Sequence, residues 1–140
     1  MLKANRPLPA CFLPLCDKAN FMTIQQIADK LVAYCRNSQW EQAQRELYAD
    51  DVISIEPEAS SVFEKETKGL PAIIEKGHKF DDLVETMHSI RVTDPIVADH
   101  TFACVLEMDA TMKAHGRTAM KELCIYTVKD GKIVKEEFVM

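Results

Sequence analysis

Apolar residues recur at helical spacing from Ile24 onward: Ile24, Ile27, Ala28, Leu31, Tyr34 and Cys35 make one stripe, which predicts a first helix. Thr23 and Gln26 stand at its head as a Thr-x-x-Gln capping box, able to satisfy two backbone donors that a helix start leaves free. Asn37-Ser38 breaks the period. Trp40, Ala43, Leu47 and Tyr48 then form a second, shorter stripe that ends at Asp50-Asp51. Val52 to Glu56 is β-branched and reads as a strand, with Pro57 ending its ladder or placing it at an edge. Residues 58–69 read as a loop. Leu70-Pro71 sets up a third helix with proline in its first turn and Ile73, Ile74, Gly77 and Phe80 turned inward.

After Leu83 the period becomes alternating and stays so to the C-terminus. Met87 to Val97 predicts a strand or a bent pair around Pro95, Thr101 to Met112 a second, Arg117 to Val128 a third and Lys132 to Val139 a fourth. Asp130-Gly131 is a tight hairpin signal, and Ala114-His115-Gly116 suits the turn before it. Helices first and antiparallel strands after is an α+β order, unlike the βαβ alternation of nucleotide-binding sheets, and no glycine-rich phosphate loop is present.

The first 21 residues differ. They carry three of the six prolines and show neither period, so residues 1–21 are expected to be a flexible extension, or to lie upstream of a working start at Met22, with one domain over 22–140. Lys3 and Arg6 precede Cys11 without the apolar stretch of a signal peptide. Apolar runs are only a handful of residues long, far below the roughly 20 of a spanning helix, so no membrane role is expected. Seventeen Lys and Arg against 22 Asp and Glu give a net charge of −5, the wrong sign for holding a phosphate backbone, so nucleic acid is not an expected partner. The five cysteines are irregularly spaced and none pair as Cys-x-x-Cys, which fits free thiols in a reducing, cytoplasmic compartment.

This element order resembles the nuclear transport factor 2-like cone fold over about Ile24 to Val139, and particular residues strengthen the likeness. Tyr48-Ala-Asp-Asp51, followed by a strand ending in Glu56-Pro57, resembles the steroid isomerase branch. The run from Glu122 through Tyr126, Asp130-Gly131 and Glu136-Glu137-Phe138 resembles the SnoaL-like branch, named for polyketide cyclases. The resemblance implies a curled, antiparallel or mixed sheet with about three N-terminal helices on its concave face. It matches Glu56 by position to the proton-shuttling acid of the isomerases. The donors of that branch's oxyanion hole would fall near Val32 and Cys124, so its usual oxyanion hole does not carry over.

A carboxyl projecting into an apolar cone loses water, which disfavours its charged form and suits it to proton transfer near neutral pH. Glu56 shares strand parity with Val52 and Ser54. Glu122 shares its face with Met120, Cys124, Tyr126 and Val128, so it is an acid on an apolar stripe that faces a ligand, pairs with a buried His88 or Arg117, or is half covered. His88 has the parity of Ile90 and Val92 and an imidazole able to exchange protons with either acid. Asp109 and Glu107 oppose the parity of Phe102, Cys104, Leu106 and Met108, and are expected to face solvent or an interface. Tyr34, Trp40, Met120, Cys124 and Tyr126 are the expected pocket lining. The four histidines lack ligand spacing, so no metal and no other cofactor is expected.

Two readings follow. One is a cofactor-independent acid–base enzyme of isomerase, cyclase or dehydratase type acting on a small hydrophobic carbonyl compound, with Glu56, Glu122 and His88 as its catalytic residues. The other is a non-catalytic domain that binds a small hydrophobic molecule or dimerises. Apolar residues on both parities of one strand, Leu123 and Ile125 against Cys124 and Tyr126, favour a homodimer in either case.

Overall fold

The Thr23 hydroxyl accepts from the Gln26 amide at 3.1 Å while the Gln26 side chain accepts from the Thr23 amide at 2.8 Å, and this reciprocal cap opens α1 (Ile24–Arg36). The computed structural model describes residues 21–140; all of the expected extension except Phe21, with Cys11 and Cys16, lies outside the described residues. α1 buries Ile27, Ala28, Leu31 and Val32, and its last residue, Arg36, donates to the Val92 carbonyl and to Asp94 across the chain. Ser38, at φ 58°, turns the chain into α2 (Trp40–Leu47).

No linker follows α2. β1 (Tyr48–Ile55) starts at once, so the second helix stops short of the expected Asp50-Asp51: Tyr48 is buried as the first residue of a strand that runs parallel to β7. The stretch read as a loop contains β2 (Glu66–Lys68), which pairs antiparallel with Ile53 to Ile55 and is too short to show alternation. α3 (Leu70–Leu83) follows with Pro71 in its first turn and Gly69 ahead of it at φ 93°, a conformation that only glycine adopts without strain.

The bent pair expected around Pro95 is β3 (Val84–Val92) and β4 (Ile96–Ala98), both lying on β5 (Thr101–Met112). β5 and β6 (Gly116–Lys129) pair without a register break from Thr101↔Thr127 to Met112↔Gly116. Asp130 and Gly131, at φ 51° and 78°, form the tight turn to β7 (Lys132–Val139), both central residues in the left-handed region as a type I′ hairpin demands. The described residues thus make three helices packed with one open, curled mixed sheet in the order β2-β1-β7-β6-β5-β3, the α+β architecture expected from the sequence.

The core lies between helices and sheet. Leu31, Leu47, Ile73, Ile133 and Phe102 are essentially inaccessible, each such side chain contributing about 1.5–3 kcal/mol over leaving it exposed. Phe102 and Tyr126, opposed on β5 and β6, stack at 4.9 Å between ring centres. Two polar residues are buried in this apolar mass, Ser54 and Glu136, and they lead to the site. No helix among the described residues is long and apolar enough to cross a membrane.

Candidate active site

β1 carries Tyr48 and Ser54 inward at even parity, and Glu56 follows just beyond its end, its amide donating to the Lys65 carbonyl at 2.7 Å. α3 places Lys76 one turn past Ile73, on the stripe that also presents Phe80. β6 contributes Met120, Glu122 and Tyr126, and β7 contributes Glu136 and Phe138. Leu31, Trp40 and Ala43 close the helical side of a cavity of about 310 Å³, within the range usual for small-molecule sites.

A continuous polar chain crosses this apolar space. The buried Glu136 carboxyl accepts from the Tyr48 hydroxyl on one oxygen and from the Ser54 hydroxyl, at 2.6 Å, on the other. Lys76 Nζ donates to Ser54 Oγ at 2.7 Å and to Glu56 Oε1 at 2.7 Å, and stands 5.7 Å from the centre of the Phe138 ring. The Lys76 and Glu56 side chains are only 14% and 23% exposed, so this ion pair is screened far less than one on the surface. Burial pushes the Glu136 carboxyl above the usual range against the pull of its two hydroxyl donors and of Lys76. Burial likewise holds the Tyr48 proton well above its ordinary value, and the Glu136 charge adds to it.

Glu122 has no such support. Its one hydrogen-bond contact among the described residues is the Cys124 thiol at 4.0 Å, a weak donor at long range. Burial, reinforced by the charges of Glu56 and Glu136 and only partly offset by Lys76, pushes its pKa up to about 7. The cavity therefore holds an acid that changes charge at neutral pH beside a half-buried ion pair. Cys35 also lines it, but burial first, then Cys104 and Glu136, push that thiol up to about 12, which removes it as a nucleophile.

Of the residues expected from the sequence, Glu56, Glu122, Trp40, Met120 and Tyr126 meet at this cavity. Tyr34 packs beside the core without lining the cavity, its neighbour Cys35 taking that place. Cys124 is in the core, only its sulfur approaching Glu122. The structure does not bring His88 to the acids. The β3 register shifts between Met87 and Ser89, so strand parity does not carry through from Ile90 to His88; the histidine is exposed, its Nε2 2.7 Å from Thr111 Oγ1. Arg117 binds Asp109 through two hydrogen bonds of 3.0 and 2.8 Å, and neither it nor His88 pairs with Glu122. Asp109 and Glu107 lie among surface ion pairs, the latter with Arg91 and Lys121.

Sequence reasoning did not single out Lys76, Ser54, Tyr48 or Glu136 as site residues. Glu136 is concealed by a second irregularity: β7 slips one residue between the pairs Val128↔Ile133 and Thr127↔Lys135, so strict alternation from Ile133 would turn Lys135 and Glu137 inward instead. Lys76 was open to detection at i+3 from Ile73 and i−4 from Phe80. Among the described residues no three His, Cys, Asp or Glu side chains are placed to hold a metal ion.

Helices over a curled mixed sheet with an acid-lined cavity define a nuclear transport factor 2-like scaffold. The SnoaL-like domain family matches residues 22–140, and the chain belongs to that family. Among solved structures it is similar to a candidate SnoaL-like polyketide cyclase from Mesorhizobium loti, for which carbohydrate phosphatase is a second description: 32% identity, TM-score 0.79, 85% of this chain and 100% of that one covered. Fold likeness alone extends to a nuclear transport factor 2-like protein of unknown function from Burkholderia pseudomallei (12% identity, TM-score 0.70, 85% and 92% covered). It extends also to TerC co-crystallised with polyporic acid (15% identity, TM-score 0.68, 84% and 92% covered). No functionally curated protein matches the chain in sequence.

Proposed function

We propose that the cavity binds a small hydrophobic carbonyl compound and moves a proton on the carbon beside the carbonyl, as an isomerase, cyclase or dehydratase does, without a cofactor. The observation that carries this reading is Glu122, an acid with a pKa of about 7 in an apolar cavity, matched to a general base at neutral pH. Lys76, desolvated and held by Glu56 and Ser54, donates to the carbonyl oxygen and stabilises the charge that grows there as the proton leaves. Glu136 and Tyr48 fix Ser54 and through it the lysine. His88 has no part in this arrangement. The likeness to a candidate polyketide cyclase and to a fold crystallised with polyporic acid supports a small organic ligand here.

The test is exchange of the α-hydrogens of a hydrophobic ketone, 2-tetralone, for deuterium in D2O. The protein accelerates exchange, with a rate that rises through pH about 7. Glu122→Gln loses about a hundredfold or more while still binding the ketone. Binding without exchange in the native protein would leave a ligand-binding domain and no enzyme.

Leu123 and Val139, cross-strand partners 39% and 43% exposed, lie on the sheet face away from the helices and support a homodimer. Light scattering giving the 15.9 kDa mass of one chain at micromolar concentration would refute it. The free thiols Cys35, Cys104 and Cys124 support a reducing, cytoplasmic location; a fluorescent fusion found outside the cytoplasm would refute that.

A further inference from the structure

Among the described residues, Lys76 differs from the other lysines in where its amine sits. Its side chain is 14% exposed, against 49% for Lys30, 69% for Lys121 and 42% for Lys135, and it lines the cavity itself. Two of its three N–H groups go to Ser54 and Glu56, and among the described residues the third has no hydrogen-bond partner. A carboxylate in contact with the nitrogen and a second carboxyl on the wall of the same cavity are the acid and base that condensation of an amine with a carbonyl requires. An ion pair serving stability alone would not need to face an apolar ligand space, and a buried pair adds little net stability over apolar replacements.

We propose that Lys76 goes beyond a hydrogen bond to the carbonyl oxygen and is a covalent catalytic residue, forming an imine with the carbonyl carbon of the ligand, so that the iminium replaces the carbonyl oxygen as the group that takes up the charge. This rests on the reading of the cavity as a site for carbonyl compounds. Lys76 gives one proton to the Glu56 carboxylate, and the freed amine attacks the carbonyl carbon. The C–N bond forms as the C=O π pair moves to oxygen, which takes a proton from the Glu122 carboxyl. The nitrogen then returns a proton to Glu122, Glu56 protonates the hydroxyl, and the C–O bond breaks with loss of water as the nitrogen lone pair closes the C=N bond. In sum, ammonium and carbonyl become iminium and water, both glutamates end as they began, and no oxidant or reductant is consumed. The iminium withdraws electrons from the neighbouring carbon more strongly than a neutral ketone does, so once Glu122 has released its proton to solvent, its carboxylate removes a more acidic proton from that carbon.

The experiment incubates the whole chain at pH 7 with 2-naphthaldehyde and sodium cyanoborohydride, which reduces an iminium to a stable secondary amine while sparing the free aldehyde, and maps the adduct by peptide mass spectrometry. Lys76 is labelled about tenfold or more faster than exposed lysines such as Lys121. Glu122→Gln slows labelling at Lys76 but not at Lys121. Lys76→Arg, checked for native circular dichroism, loses the fast phase; should it fail to fold, the Lys76 to Lys121 rate ratio in the native chain still decides the matter. Binding of the unreactive alcohol 2-naphthylmethanol is followed in parallel by NMR shifts of the cavity residues. Alcohol binding with no preference for Lys76 overturns the covalent role and leaves the cavity reading standing. No binding of the alcohol together with no preferred labelling overturns both.

Discussion

Glu122 and Glu136 lie on neighbouring strands and face one cavity, yet the two regions that carry them treat a carboxyl in opposite ways. On the β1–β7 side, Glu136 is fully enclosed and each of its oxygens is met by a hydroxyl, from Tyr48 and from Ser54. On the β6 side, Glu122 keeps some solvent contact and is met only by a distant thiol. Burial raises the pKa of both. What differs is what depends on each. Removing Glu136 strands two buried hydroxyls and loosens the lysine that Ser54 holds. Removing the charge of Glu122 strands nothing, so this is the group free to gain and lose a proton without disturbing the fold.

The largest expected effect breaks the first region. Glu136→Ala leaves the Tyr48 and Ser54 O–H groups without an acceptor in the core, Ser54 keeping only the bond it accepts from Lys76, and should cost about 3 kcal/mol or more in urea denaturation at pH 7. A loss below about 1 kcal/mol would mean that water or rearrangement replaces the carboxyl, and the contrast between the two acids would fall.

The next effect has the opposite sign and depends on pH. The folded pKa of Glu122 is about 7, against about 4.3 for an ordinary glutamate. Below the unfolded value the group is neutral in both states and costs nothing. Between the two values the unfolded chain ionises first, so stability declines as pH rises, and above the folded value the full cost is present. Glu122→Gln should thus match the native protein near pH 4 and exceed it at pH 8 by about 1–3 kcal/mol, the shift discounted for remaining solvent contact. Equal stabilities at pH 8 would show that the charge is compensated after all.

The smallest effect concerns His88, displaced from the site by the β3 irregularity. His88→Ala should change stability by less than about 0.5 kcal/mol, as at an ordinary surface position, and should leave α-hydrogen exchange at its native rate. A tenfold loss of exchange would return the histidine to the site by a route the folded geometry does not contain.

The same contrast governs how much could be read from the chain. The β5–β6 ladder runs unbroken, so period-2 counting places Met120, Glu122 and Tyr126 on the inner face and Asp109 and Glu107 away from it. Capping box, proline start and Asp-Gly turn likewise fix α1, α3 and the last hairpin by local chemistry alone. Counting fails where a strand slips by one residue: the irregularities in β3 and β7 move His88 out of the expected face and bring Glu136 in. A bulge answers to the curl of the whole sheet, a tertiary demand with no local residue signature. In α1 the difference is a single position, Cys35 rather than Tyr34 facing the cavity, the 100° step between adjacent helical residues deciding which. Lys76 was missed for a different reason, since a charged residue beside an apolar stripe usually reaches back to solvent, and only Glu56 and Ser54 hold it inside.

The central claim is that one carboxyl in this cavity changes charge at neutral pH, and the most direct test is to watch it do so. In protein carrying 13C-labelled glutamate, the carboxyl resonance assigned by its loss in Glu122→Gln should titrate with a midpoint near pH 7. A midpoint at the ordinary glutamate value of about 4.3 would contradict the account, because a carboxyl fully ionised well below neutrality is neither desolvated nor poised to exchange a proton with a bound ligand.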